Sequence, residues 1–359
     1  MENNTFTWLC ITFYATVGQL NAAPLDALLG TDRFQQSGES SLEVSYDVMN
    51  SSLDILGMRA NDAQYSGTNV GDYSGVHLRA SYALSDILSL HGGYWKRKIS
   101  YRQDDESIDS WQTTVQYRFD GDKSSAKNYA VRFGTWGNLT DELNKTSPSI
   151  IMGKTFSSIS VSNPLDFQIQ LDVIGAWRIS EETDVSAFSG MGESWVETGD
   201  IVANYIDGSG CAYRILFTPA ATSGTLISPC ASNIVITDFA TDQSVTQGFN
   251  YRSSYYQLGG AVKWHQNEWV LRGGYQFQQL SRGNVDAQIV KGGGIAYQRN
   301  HVFVMDASYE LTSKAVVFVR FQVMSNQFVG EIPFAYNVAT ASKFNRRYGF
   351  MSAGANFPF

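Results

Sequence analysis

The sequence predicts an all-β protein, a closed antiparallel barrel that crosses a membrane on amphipathic strands. Apolar and polar residues alternate with a period of two along much of the chain, and the alternating segments are long. A membrane-crossing strand needs about 9–11 residues, whereas a strand of a globular protein usually has about five or six. Of the 359 residues only 17% are charged, and the 19 Tyr and 21 Phe favour strands and the aromatic girdles of membrane barrels.

The alternation is clearest in three segments, at 110–119, 165–178 and 269–278. Apart from Thr113, every second residue in each segment is aliphatic, aromatic or glycine, and most of the residues between them are polar. Successive side chains of a strand point to opposite faces, so one face of each segment is apolar and the other polar. We therefore expect the apolar face to meet lipid and the polar face to line a lumen.

The alternating segments make a barrel of about twelve strands. We place them near 40–50, 74–84, 87–99, 108–119, 128–137, 165–178, 185–194, 251–264, 268–280, 301–311, 315–325 and 345–359. The long connections fall at about 51–73, 100–108, 138–164, 195–250, 281–300 and 326–344, and short turns alternate with them. Short turns on one side and long loops on the other are typical of membrane barrels.

Two further segments, 155–161 and 290–297, also look strand-like. If both spanned the membrane, the barrel would have about fourteen strands, an alternative that the pattern leaves open. That arrangement would move the long 195–250 segment to the side of the short turns. We therefore prefer the twelve-strand barrel.

The first residues have the pattern of a secretory signal. An apolar run from Thr5 to Val17 is followed by a polar stretch and a cleavage point after Ala22, although Glu2 stands where a positive charge is expected. We expect a signal peptide at 1–22, a short segment at 23–39 and the barrel at 40–359. After residue 30 the sequence has no run of 18 apolar residues.

The cysteines and the net charge indicate the redox compartment of the protein and limit the class of its partners. Cys10 lies in the expected signal, whereas Cys211 and Cys230 share one polar segment, and an exported protein favours a disulfide between them over two free thiols. The formal net charge of −8 argues against nucleic acid as a partner.

The polar face carries many charged side chains, which we expect to line the lumen. The basic ones are Arg79, Arg97, Arg118, Arg132, Lys263, Arg272 and Arg320. The acidic ones are Glu43, Asp47, Asp166, Asp172, Asp306 and Glu310. The first four arginines follow one another on neighbouring strands, and we take the inward residues between them to be Ser, Gln, Thr, Gly and His. Such a row favours anions in an open pore, but arginines and acids on neighbouring strands can also pair and close the lumen.

The sequence favours no enzyme, cofactor or metal site. The four histidines lack metal-ligand spacing. His77 and His91 share their faces with Ser81 and Ser89, but residues two apart on a strand lie about 7 Å apart, too far for a nucleophile and its base. A polar lumen histidine is the simpler interpretation.

The C-terminal residues carry a family resemblance. The chain ends on Phe359, and apolar residues alternate back from it through Phe357. This resembles the terminal strand of Gram-negative outer-membrane proteins, and 307–314 resembles the last periplasmic turn of porins. The resemblance covers about the last sixty residues, without identifying a subfamily.

The resemblance implies a bacterial outer-membrane protein surrounded by lipid, with 23–39 in the periplasm. It also implies that the assembly machinery recognises Phe357 and Phe359. The function we expect is passive diffusion of small hydrophilic solutes with a mild anion preference. The alternative is a plugged barrel that acts as a surface receptor, an adhesin or a lipid-modifying enzyme. The smooth outer face allows oligomers.

Overall fold

The protein is a closed barrel of twelve antiparallel strands with a second, smaller sheet beside it. The computed structural model describes residues 37–49, 70–101, 104–119, 125–146, 149–151, 154–207, 209–218, 222–226, 249–291, 293–326, 332–337, 341 and 348–359. The expected signal peptide at 1–22 and most of the segment at 23–39 lie outside these residues.

The strands follow one another along the whole described chain. In order they are β1 (Ser40–Met49), β2 (Val70–Ser85), β3 (Leu88–Tyr101), β4 (Asp104–Arg118), β5 (Lys127–Leu139), β6 (Glu142–Lys145), β7 (Ser149–Ile151), β8 (Lys154–Ser162), β9 (Leu165–Arg178), β10 (Thr183–Glu197), β11 (Ile201–Ile206), β12 (Ala212–Phe217), β13 (Thr222–Leu226), β14 (Tyr251–Gln266), β15 (Trp269–Ser281), β16 (Arg299–Thr312), β17 (Ala315–Met324) and β18 (Tyr348–Pro358). The barrel consists of β1–β5, β9, β10 and β14–β18, each paired with its neighbours. The predicted fold class and the twelve strands are therefore confirmed.

The two ends of the barrel differ in their connections. At the end where β1 begins and β18 ends, which we call the terminus end, neighbouring strands are joined by short turns. All the long connections lie at the opposite, or loop, end. One expectation was wrong: 100–108 is not a long loop, because β3 and β4 pair as far as Tyr101 and Asp104.

The two ambiguous segments do not add strands to the barrel. Residues 155–161 form most of β8, which belongs to the second sheet. Residues 290–297 are not a strand: they contain the end of a helix, α1 (Gly283–Lys291), and irregular chain after it. The fourteen-strand alternative is therefore wrong.

The barrel closes where its first and last strands pair. β1 runs antiparallel to β18 with Ser41 opposite Pro358 and Val48 opposite Met351. The outward side of β18 carries Phe357, which is exposed, while Ser352 on its other side is buried. The alternation that we predicted from the C-terminal residues thus separates an outer from an inner face.

The outer face of the barrel is apolar and bears two bands of aromatic residues. Near the terminus end these include Tyr82, Tyr117, Phe119, Tyr129 and Trp269, and nearer the loop end Tyr46, Tyr94, Tyr256 and Phe303, all exposed. Aliphatic residues such as Leu78, Leu171 and Val173 are exposed between them. An apolar band between aromatic girdles is the surface that a barrel presents to lipid.

In the described part of the chain, no helix is long and apolar enough to cross a membrane.

The second sheet comes from the two longest connections. Its strands are ordered β13-β12-β11-β8-β6, with β7 also paired to β8, and they surround a small core that includes Phe156, Ile215 and Phe217. Strands β11–β13, which come from 195–250, therefore lie outside the barrel wall. Cys211 precedes β12, but Cys230 lies outside the described residues, so the disulfide stays a prediction.

Candidate functional site: the lumen and its plug

The charged residues that we expected in the lumen are mostly buried. Among the described residues of the barrel, those with buried side chains are Arg79, Arg97, Arg118, Arg132, Arg320, Glu43, Asp47, Asp166, Asp172 and Asp306. Lys263 and Arg272 are half-buried, and Glu310 is exposed near the terminus end. Since the barrel exterior is exposed, burial marks side chains that the interior has enclosed.

The interior of the barrel contains a belt of basic and acidic side chains, which we call the charged belt. One row of register partners crosses five strands and joins Lys263, Arg272, Asp306, Arg320 and Ser352. Arg320 Nε lies 3.3 Å from Asp306 Oδ2, and Arg320 Nη1 lies 3.6 Å from a carboxylate oxygen of Glu43 on β1. Basic and acidic groups therefore neutralise one another across this wall.

A second contact, the Asp172 bridge, crosses the opposite wall. Arg132 Nη2 donates to Asp172 Oδ2 at 2.8 Å, and the side-chain amide of Gln170 donates to the same carboxylate at 2.8 Å. Gln257 on β14 donates to Asp172 Oδ1 at 3.1 Å and accepts from Gln276 on β15, also at 3.1 Å. One carboxylate therefore connects β5, β9, β14 and β15.

The side chains of the Asp172 bridge can extend across the inner face of β10 because that strand has glycines, and so no side chains, where they cross it. A Cβ at Gly190 would lie 2.0 Å from Asp172 Oδ1, and one at Gly192 would lie 2.5 Å from the Tyr255 hydroxyl. Any larger residue would push these side chains away. Tyr255 reaches Gln170 across Gly192, where its hydroxyl donates to Gln170 Oε1 at 3.0 Å.

Between the charged belt and the loop end lies a ring of glutamines, which we call the amide belt. Its members are Gln112, Gln168, Gln170, Gln257, Gln276, Gln278 and Gln322. All are buried, and the aromatic residues Trp95, Trp136 and Tyr255 lie among them. Our assignment of the inward positions between the arginines was therefore incomplete, because Trp95 and Trp136 occupy two of them. The alternation alone could have revealed them, since they share the parity of the charged residues.

The loop end of the lumen is filled by two connecting segments, which together we call the plug. The first is 332–337, whose 3₁₀ helix is Pro333–Ala335, and the second is α1. Ile332, Phe334 and Val285 are buried in one apolar cluster with inward residues of the barrel. We expected 195–250 to lie outside the barrel or to fold into its mouth, and its described strands β11–β13 belong to the second sheet and not to the plug.

Polar contacts hold the plug in the barrel. The Tyr251 hydroxyl lies 2.5 Å from the Pro333 carbonyl oxygen and 2.7 Å from that of Tyr336. The Tyr336 hydroxyl accepts from the Tyr297 N–H at 2.7 Å, and burial raises the pKa of that hydroxyl, so it stays neutral. Arg282 lies over the Tyr336 ring at 4.1 Å and pairs with Asp286 of α1.

A chain of polar groups also links the plug to the lumen wall. The Phe334 N–H points to Asp166 Oδ2, 3.5 Å away, and Asn138 Nδ2 donates to the same carboxylate at 3.0 and 3.1 Å. Asn138 in turn accepts from Arg97 at 3.0 Å. Both the apolar cluster and this chain join the plug to the lumen wall at the loop end, whereas Lys263 and Arg272 are partly accessible at the terminus end.

The histidines do not form a site for lipid chemistry. Contrary to our expectation from strand spacing, Ser89 Oγ and His91 Nε2 are only 3.1 Å apart, because both side chains bend toward each other. Both face the lumen, and a lipid substrate would lie on the other side of the wall. His77 instead stacks on Trp95, with ring centroids 3.9 Å apart. Among the described residues, no group of three His, Cys, Asp or Glu could hold a metal ion.

Comparison with solved structures finds proteins of similar fold. The chain is similar to the translocator domain of the autotransporter NalP from Neisseria meningitidis, at 10% identity and a TM-score of 0.48 over 99% of this chain and 98% of that one. It is also similar to the KdgM porin, at 8% identity and 0.39 over 89% and 99%, and to the Pseudomonas putida toluene transporter TodX, at 12% and 0.39 over 95% and 94%. No protein-family model and no curated protein matches the sequence.

These likenesses concern the barrel architecture alone. The closed barrel of twelve strands is itself the architecture that the C-terminal residues indicate. What the barrel does has to be argued from its own side chains.

Proposed function

We propose that the protein is a channel of the bacterial outer membrane for small hydrophilic solutes, with a mild anion preference. The conformation described here is then its closed state. The terminus end would face the periplasm, and the plug would close the outer mouth.

The polar lumen is the observation that carries the proposal. Charged, amide and hydroxyl side chains occupy most inward positions from Ser41 on β1 to Ser253 on β14, although lipid surrounds the barrel. Burying such groups costs free energy even when they are paired, and an interior that only filled space would be apolar. If the lumen fills with water when the plug moves, these polar side chains would line a path for hydrophilic solutes.

The anion preference follows from the balance within the charged belt. The row of Arg79, Arg97, Arg118 and Arg132 lies on β2 to β5, and of these Arg132 is paired with Asp172. Arg97 donates to the side chains of Ser110 and Asn138, which carry no charge. The acids of β1, β9 and β16 offset part of the positive potential, so the preference should be small.

Single-channel recording in a planar bilayer under a KCl gradient tests the proposal. The variant to use combines Tyr251→Phe with Phe334→Ala, which removes plug contacts and which we call the plug-released variant. It should show discrete conductance steps and a reversal potential on the anion side. Adding Arg79→Gln removes one positive charge from the lumen and should move the reversal potential toward the cation side. Glu43, which lies opposite Arg79, still has Arg320 as a partner in this variant.

The matched control is Arg214→Gln, an exposed arginine of β12 outside the barrel, which should leave the reversal unchanged. Migration of unheated and boiled samples in SDS gels shows whether each variant is folded. A folded plug-released variant without conductance would refute the channel, and a cation-selective pore would refute the anion preference.

A second candidate function is a surface receptor or adhesin, and the second sheet favours it. Strands β6–β8 and β11–β13 have an apolar core of their own at the loop end, which a simple channel does not require. Binding of the protein to whole cells or matrix proteins, with conductance absent from the plug-released variant, would favour this function.

A further inference from the structure

Several polar atoms of the amide belt are buried without a hydrogen-bond partner among the described residues. The donors are the side-chain nitrogens of Gln278, Gln322 and Trp136, and the acceptors are the amide oxygens of Gln168, Gln112 and Gln276. Gln168 is fully buried, and its amide oxygen has no hydrogen-bond partner among the described residues. Most buried polar side-chain atoms in proteins are hydrogen-bonded, so such a cluster needs an explanation.

The mixture of donors and acceptors limits what these atoms could bind. An inorganic anion accepts hydrogen bonds and leaves the amide oxygens without partners. A metal cation does the opposite, and carboxylates are more common ligands for it than amides. A hydroxyl donates one hydrogen bond and accepts others, so a solute with several hydroxyls matches both sets of atoms.

The aromatic residues of the belt suit the same class of solute. Trp136 and Tyr255 lie beside the glutamines, with ring centroids 6.3 Å apart. A pyranose ring has an edge of hydroxyls and a face of C–H groups, and an aromatic ring packs against such a face. Binding sites commonly combine aromatic walls with a few placed polar groups.

The geometry points to the amide belt as a binding site for neutral sugars on their way through the channel. This inference rests on the proposed function, because the belt lies beneath the plug and opens only when the plug moves. The charged belt would then set the ion preference, and the amide belt would select solutes by their hydroxyls.

Two measurements on the plug-released variant test the site, with maltotriose as the probe. In planar bilayers, maltotriose should block the current in a saturable way. In detergent, it should change the tryptophan emission, because Trp95 and Trp136 lie in the belt. Adding Gln168→Leu and Gln278→Leu should weaken the apparent affinity by roughly tenfold or more, as the loss of two hydrogen bonds implies.

The matched control is Gln116→Leu, a buried inward glutamine of β4 nearer the terminus end, which should leave the affinity unchanged. Inorganic phosphate at the same concentration should not block. If the variant conducts but maltotriose neither blocks nor changes the emission, the site is refuted and the channel stands, with water as the partner of the belt. Block by phosphate alone would also refute the site, and a folded variant that neither conducts nor responds to maltotriose would refute both proposals.

Discussion

Phe334 is the plug residue whose loss has the most predictable effect. Its side chain is only 3% exposed and packs in the cluster that closes the loop end. Truncating a buried phenylalanine to alanine costs about 3 kcal/mol or more. If this contact exists only in the closed state, Phe334→Ala should move the closed-to-open equilibrium by roughly a hundredfold toward the open state.

Single-channel recording measures this shift directly as the fraction of time that the channel is open. The wild-type protein should be closed for most of the recording, and Phe334→Ala should raise the open fraction without changing the conductance of one open channel. Tyr251→Phe should act in the same direction but more weakly, because a hydrogen bond contributes about 1 kcal/mol.

A matched control separates the plug from general destabilisation. Phe217→Ala removes an equally buried phenylalanine from the core of the second sheet, which lies outside the barrel. It should lower the stability of that sheet and leave the open fraction unchanged. Equal open fractions for Phe334→Ala and the wild-type protein would show that the plug does not close the lumen.

Three further predictions concern other parts of the molecule. Gly190→Ala would place its methyl group against the carboxylate of the Asp172 bridge and should destabilise the barrel by about 1–3 kcal/mol in urea unfolding. In the second sheet, hydrogen bonds from the Ser209 hydroxyl and the Cys211 N–H lower the pKa of Asp207, which NMR titration should show. Peptide mapping without reductant should recover Cys211 bonded to Cys230.

Each of these predictions has a clear opposing result. Gly273→Ala is the control for the glycine, because a Cβ there meets nothing within 4 Å, and equal stability of the two variants would contradict the bridge. For Asp207, a lowered pKa means that its stabilisation is present at neutral pH and is lost only as the pH falls through that lowered value. An ordinary aspartate pKa would contradict the hydrogen bonds, and two free thiols would contradict the disulfide.

The strands could be predicted from the sequence because each face of a barrel wall meets a single environment. Lipid on one side and the lumen on the other impose a period of two, so all twelve strands fell close to their observed positions. The same period separated Arg132 and Asp172 from the outward residues. It could not show that they touch, because that contact depends on the register of β5 and β9.

The plug and the amide atoms without hydrogen-bond partners could not be predicted from the sequence for a different reason. Residues 332–337 have no periodicity, and their position depends on Tyr251, Arg282 and Asp166, which are distant in the sequence. The contact between Ser89 and His91 was missed because the spacing along a strand gives only the distance between the backbone positions. Rotation of the two side chains brings their polar atoms much closer together. Irregular segments and side-chain directions therefore need the folded chain.

The seam between β1 and β18 has a consequence for biogenesis. Until Tyr348–Pro358 is in place, β1 and β17 are unpaired edges, and open edges invite aggregation. The two partners at the seam are about three hundred residues apart, and such distant pairing is slow. Both edges therefore stay open until the last strand arrives, and shortening that strand should leave them accessible to proteases.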